Sequence, residues 1–285
     1  MKLVENQRFD EERAFYGCDG VKVKNCEFSG EVDGESAFKE CENITVESCL
    51  WKLRYPFWHD EHLKIYDTYL TETCRAALWY SSDIEIYSSR LHGIKALREC
   101  KNIQLSDCDI ISAEFGWFCD GIRMSDCRVT GEYFMLRSSS LDFSDVKLSG
   151  KYSFQYIENS TFENCVFNTK DAFWHAKNVI VRNSVINGEY LAWYAENLTF
   201  ENCKISGTQP LCYCKNLQLI NCEMHGCDLA FEKSVVNATV TTPIISIKNP
   251  IEGYIEAPRV DEIIDDYATS CRIKTTCERS FTAVT

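Results

Sequence analysis

The densest group of chemistry-bearing residues in the chain is RYPFWHDEH, residues 54–62, where Trp58, His59, Asp60, Glu61 and His62 follow one another. An imidazole beside carboxylates can serve as a general acid or base, or as a metal ligand. A charged turn is the plain structural reading of the same run. Farther along stand Arg75, Trp79, Arg98, Glu99 and Trp117. Aromatic faces stack on sugar rings while Arg, Glu and His take hydroxyls, so this set points to a saccharide as ligand. The candidate catalytic groups are His59, Asp60 and Glu99. The candidate ligand contacts are Trp58, Arg75, Trp79, Arg98 and Trp117. The competing reading is that the aromatics pack and shield a core. No phosphate-cradling Gly loop, G-x-S-x-G elbow, H-E-x-x-H or C-x-x-C occurs, so no cofactor and no metal are expected.

A repeat in the sequence supplies the frame that would bring these residues together. Cys108, Cys127, Val146, Cys165, Ser184, Cys203 and Cys222 stand 19 residues apart without a gap. Backwards, the anchors continue through Ser89, Thr68, Cys49 and Cys26 at steps of 19, 21, 19 and 23 residues. Three residues before each anchor the side chain is apolar, from Val23, Val46 and Ile65 to Phe162, Val181, Phe200 and Leu219. Two residues after each anchor it is apolar again, as at Trp51, Leu91, Val129 and Phe167. Spacing by two within each repeat is strand alternation, so the chain is predicted to be all-β. The fold expected is a right-handed single-stranded parallel β-helix of about eleven coils, the hand following the rule for parallel crossovers.

Corners are marked by Asn, Asp and Gly six residues before the anchor (Asn43, Asp83, Asn102, Asn159) and by Gly four residues after it (Gly93, Gly131, Gly150). Register places Trp58, Trp79, Arg98 and Trp117 in one column and His59, Tyr80, Glu99 and Phe118 in the next. Strand parity puts one of these columns inside unless a bend intervenes, and both carry charges. Residues 1–242 are expected to form the helix with its N-terminal cap, and 243–285 a C-terminal cap and tail in the same domain. A short helix is expected at VDEIIDDYA, residues 260–268.

Twelve of the 17 Cys fall in two columns, the anchors and the positions eight residues earlier, where Ser and Ala also occur. That distribution suits small buried side chains rather than a metal ladder. The Asp107, Asp126 and Asp145 column is expected to be relieved by Arg128 and Lys147 rather than by a cation. A net charge of -13 argues against nucleic-acid or anionic-membrane partners. MKLVENQRFDEERAF lacks the order of an export signal, and with the many Cys this predicts a cytoplasmic protein.

The runs GESAFKE, RYPFWHD, CRAALWYS, GIKALREC, DAFWHAKN and GEYLAWYAEN resemble those of a bacterial family of uncharacterised proteins known only as a domain of unknown function. The resemblance implies a single parallel β-helix, akin at fold level to pectate-lyase-like proteins, and no activity. Two functions follow as expectations. One is a cytosolic saccharide-binding or saccharide-modifying protein using the aromatic face near His59. The other is a non-catalytic scaffold docking a protein partner, or a second copy as a homo-oligomer, through a flat β-face. A concave site with charges favours the first, and a flat continuous apolar strip the second.

Overall fold

The computed structural model describes residues 1–267 and 269–276. It is a parallel β-solenoid with no helix among the described residues, so none that could cross a membrane. Long strands such as Glu42–Glu47, Glu61–Tyr66, Ser82–Tyr87 and Lys101–Ser106 stack in parallel, with Val46, Ile65, Ile86 and Leu105 in register. Shorter strands such as Leu50–Trp51, Tyr69–Leu70 and Arg90–Leu91 stack as a second face. A third face is built from Phe38–Lys39, Phe57–Trp58, Leu78–Trp79 and Leu97–Arg98. Side chains alternate in and out along each strand, and the inward ones form one continuous core. It includes a cluster of Phe143, Phe154, Phe162, Phe167 and Phe173, all fully buried with ring centroids 4.9–6.2 Å apart.

The coil count is about fourteen rather than eleven. Lys2–Glu5 adds a rung below, and Val235–Val240, Glu252–Ala257 and Ser270–Thr275 add rungs above, still in parallel register. The helix expected at 260–268 is instead the strand Val260–Ile264, paired with Ile244–Lys248; Ala268 lies outside the described residues, as does the tail from 277. The inward column continues from Leu219 to Ala238 at the same step and then through Ile255 and Ile273 at shorter ones. A register shift between Leu219 and Cys222 starts that change. Edge pairing to the coil below overrides the local pattern of alternating charge and Ile that suggested a helix.

Corners are made by residues in the left-handed region. They include Asn43, Asp83, Asn102 and Asn159, and also the polar column before the anchor, Asp107 to Asn221. Asn and Asp tolerate that conformation best, and their amides bond up the axis, as Asn178 Nδ2 does to Asn159 Oδ1 at 2.9 Å. The Gly column has a different cause. At Gly131 and Gly150 a Cβ would run into the carbonyl oxygen of Ser112 and of Gly131 one coil below.

A corner also turns the next backbone N–H inward, where no strand partner waits. The two Cys-rich columns answer this need. Cys108 N–H donates to Cys127 Sγ at 3.4 Å, Cys165 N–H to Ser184 Oγ at 2.9 Å, and Cys119 N–H to Ser138 Oγ at 2.9 Å. The columns are therefore buried and small, as expected, but they also supply an acceptor to the coil below. That is why Cys, Ser and Thr outnumber Ala there. All cysteines in the described residues are free thiols.

Candidate functional site

The parity question resolves through backbone conformation. His59, Tyr80, Glu99, Phe118 and Arg137 all have positive φ, from 52° to 60°. A left-handed residue resets the alternation, so the Trp column and its neighbour both face outward. The inward places go to Phe57, Leu78 and Leu97 on one side and to Asp60, Ser81 and Cys100 on the other.

This geometry separates the candidate catalytic groups. His59 is exposed and lies flat on Tyr80, ring centroids 5.0 Å apart. Glu99 is two coils away and bonded to Arg98 Nε at 3.2 Å. Asp60 points into the core with no exposure at all. Its Oδ1 accepts from Cys41 N–H at 2.9 Å, the role Ser and Cys play elsewhere in that column, while Oδ2 has no partner. Burial pushes its carboxyl up to about 9, so it is neutral at pH 7.

The candidate ligand contacts do come together, but stacked along the helix axis. Trp58 and Trp79 lie parallel with centroids 5.0 Å apart. The Arg98 guanidinium sits 5.1 Å from Trp79 and 5.5 Å from Trp117. Trp79 thus has one face on Trp58 and Arg98 at the other side. Each indole N–H is spent on a backbone carbonyl of the next coil: Trp58 on Ala76 at 2.8 Å, Trp79 on Lys95 at 2.9 Å, Trp117 on Tyr133 at 2.7 Å. Arg75 is exposed beside Tyr55, and with Trp58, Trp79 and Lys95 it lines a dent of about 220 Å³. The outer column is an exposed aromatic ladder in which Tyr80, Phe118, Tyr156 and Tyr194 keep 39–47% of their surface.

A larger feature lies on the outward face of the long strands, and the sequence reading did not single it out. Residues Asn43 to Asp142 line a groove of about 740 Å³. One row of its lining is Lys64, Glu85, Gln104, Arg123 and Asp142, register neighbours in successive coils. Lys64 pairs with Glu85 at 3.0 Å, and Asn102 Nδ2 donates to Asp83 Oδ1 at 3.1 Å. Arg123 and Asp142 have no ion-pair partner among the described residues, although they are adjacent. Gly121 and Ser140 leave the neighbouring corner column low at this point. The row was visible in the sequence as polar positions between the inward columns, but alternation alone reads such positions as ordinary solvated surface.

On the second face, His92 Nε2 lies 2.9 Å from Asp109 Oδ2 and Nδ1 lies 3.8 Å from Glu72 Oε1, a cluster from three coils also missed. The Asp107, Asp126 and Asp145 column is not bridged by Arg128 or Lys147 within ion-pair distance among the described residues; Asp107 accepts from Ser88 Oγ at 2.9 Å. No group of three or more His, Cys, Asp or Glu arranged to hold a metal ion is found among the described residues.

A family model for proteins of unknown function, DUF3737, matches residues 2–278. The chain belongs to the DUF3737 family. Comparison with curated proteins gives no match. Among solved structures, the DUF3737 chain is similar to the Streptococcus pneumoniae surface protein and adhesin PfbA, at 7% identity and a TM-score of 0.33, covering 95% of this chain and 89% of that one. The periplasmic alginate epimerase AlgG gives 8% identity and 0.27, covering 90% and 74%. The plasmid-mediated fluoroquinolone resistance protein QnrB1 gives 12% and 0.26, covering 79% and 91%. At this level the likeness says nothing about what the DUF3737 chain binds.

Proposed function

We propose that this DUF3737 protein is a non-catalytic saccharide-binding solenoid that holds a neutral sugar chain along its axis in the groove of the long-strand face. The observation that supports this most is the unpaired Arg123 and Asp142, adjacent and opposite in charge, lining that groove beside Gln104. A guanidinium and a carboxylate held apart offer donors and acceptors together, which is what sugar hydroxyls require. Five rungs at about 4.8 Å give a row of roughly 19 Å, room for several rings. The mixed signs of the row and the acidic chain both disfavour a polyanion.

Binding without catalysis is favoured because His59, Asp60 and Glu99 face three different environments. The Trp dent offers ring edges rather than faces and has about a third of the groove's volume, so it is the lesser surface for a sugar. Free thiols throughout the two buried columns suit a reducing compartment, and the cytosol is the proposed location. The exposed ladder of Tyr80, Phe118, Tyr156 and Tyr194 favours a second reading, in which the third face docks against another copy of the chain. A glycan array followed by calorimetric titration tests the first reading, and sedimentation over a concentration range tests the second. Absence of any saccharide binding, together with a concentration-dependent dimer, would replace the first by the second.

A further inference from the structure

Cys18 and Cys41 occupy the lowest two places of a buried column, directly under Asp60. Their sulfurs are 3.4 Å apart, a thiol–thiol contact. The stacked pairs higher up, such as Cys100 with Cys119 and Cys108 with Cys127, also bring thiol to thiol and in addition have a backbone N–H donating to sulfur, but they are buried and closed to a reagent. Cys18 differs: it is only half-buried, so a small reagent can reach it. It belongs to no extended strand, being held by its N–H to Phe15 O at 3.2 Å and an isolated bridge at Asp19. The preceding Gly17 is left-handed, with nothing within 4 Å of where a Cβ would stand.

From this geometry we infer that Cys18 and Cys41 are a reactive dithiol that closes to an intramolecular disulfide by exchange with a small-molecule disulfide. Adjacent rungs place the two Cα atoms about 4.8 Å apart, inside the range a disulfide spans. Stacked parallel side chains rarely reach the torsion of about 90° that the bond needs. The open surroundings of Gly17 and the absence of a regular strand give Cys18 the freedom to turn that the inner pairs lack.

The chemistry is thiol–disulfide exchange in two steps. Cys18 thiolate attacks one sulfur of the reagent RSSR, forming Cys18–S–SR and releasing RS⁻. The released RS⁻ takes the Cys41 proton and leaves as RSH; the Cys41 thiolate then attacks the Cys18 sulfur, forming the Cys18–Cys41 bond and expelling a second RS⁻, which takes up the proton that Cys18 gave up on ionising. The protein loses two hydrogens and RSSR gains them. Two features favour Cys18 as the first nucleophile. When it ionises, it accepts a hydrogen bond from the Cys41 thiol, which lowers its pKa, while the same contact and burial raise that of Cys41. The charge of Asp60 would oppose the Cys18 thiolate, but burial keeps that carboxyl neutral at pH 7.

The test is incubation of the native protein with glutathione disulfide, followed by non-reducing peptide mapping. The expected product links Cys18 to Cys41 and reverts with a dithiol reductant. In Cys41→Ser the mixed disulfide on Cys18 should persist, and in Cys18→Ser Cys41 should stay unmodified. A circular-dichroism melt of each variant confirms that it is folded, and Cys41→Ala or Cys18→Ala replaces the corresponding serine variant if that one is not. The inference is overturned if wild type carries only glutathionylated Cys18 without the cross-link. It is equally overturned if neither residue reacts, or if Cys41 reacts in Cys18→Ser.

Discussion

Replacing Asp60 by Ser should make the protein more stable at neutral pH. Asp60 sits in a column where Ser81 and Ser138 occupy equivalent places. Those hydroxyls accept the N–H of the residue one coil below, at 3.0 Å from Asp60 and 2.9 Å from Cys119. Ser at 60 can take over the bond to Cys41 N–H and removes the stranded Oδ2. The carboxyl is held at about 9 in the fold against an ordinary unfolded value near 4. Between those values the folded state binds the proton and the unfolded state does not, so stability falls as pH rises. The slope is about 1.4 kcal/mol per pH unit, or roughly 4 kcal/mol lost between pH 4 and pH 7. A small void left by the shorter side chain costs about 1 kcal/mol. Asp60→Ser is therefore expected to be slightly less stable than wild type near pH 4 and about 3 kcal/mol more stable near pH 7. Urea unfolding followed by Trp fluorescence at about pH 4, 5.5, 7 and 8.5 reads this difference, and subtraction removes titrations common to both proteins. A variant that is less stable than wild type at every pH, with an unchanged pH slope, would refute the reasoning. It would show that the carboxyl is satisfied and ionised where it stands.

Phe162→Asp should lose several kcal/mol, because the new carboxylate would be unpaired among Phe143, Phe154, Phe167 and Phe173, and a melt within a few degrees of wild type would contradict that core. Trp79→Ala should cost about 1.5–4 kcal/mol through the Trp58 stack, the Arg98 contact and the Lys95 bond, without weakening saccharide binding; the opposite pattern would restore the Trp column as the ligand surface. Thiol titration of the native protein should find Cys18 and Cys271 reacting first among the described cysteines, with the rest released only on unfolding. Fast reaction of many groups would mean that the two columns are not closed.

The rungs were legible because a solenoid repeats its inward positions, and the 19-residue step lets Leu105, Met124 and Phe143 be checked against each other. Legibility failed where the step changed: beyond Ala238 the stack continues through Ile255 and Ile273 at shorter intervals, and Val260–Ile264 read as a helix because only pairing distinguishes it. Asp60 was misplaced for a subtler reason. A left-handed residue at His59 keeps two successive side chains, Trp58 and His59, on the outward side and so turns Asp60 inward, and φ at a non-Gly position leaves little mark on the sequence. The groove escaped notice because its lining is individually ordinary. What sets Arg123 and Asp142 apart is the absence of an ion pair between neighbours, which is a distance and not a pattern.

The measurement closest to the central claim is calorimetric titration of a neutral oligosaccharide, selected on the glycan array, into wild type and into Arg123→Ala. A hydrogen bond from a charged donor is worth about 1.5–3 kcal/mol, so affinity should fall roughly 10- to 100-fold while the melt stays unchanged, since Arg123 is exposed and holds no ion-pair partner among the described residues. Undiminished affinity in Arg123→Ala, or no oligosaccharide bound by wild type at any concentration tried, would contradict the assignment of the groove.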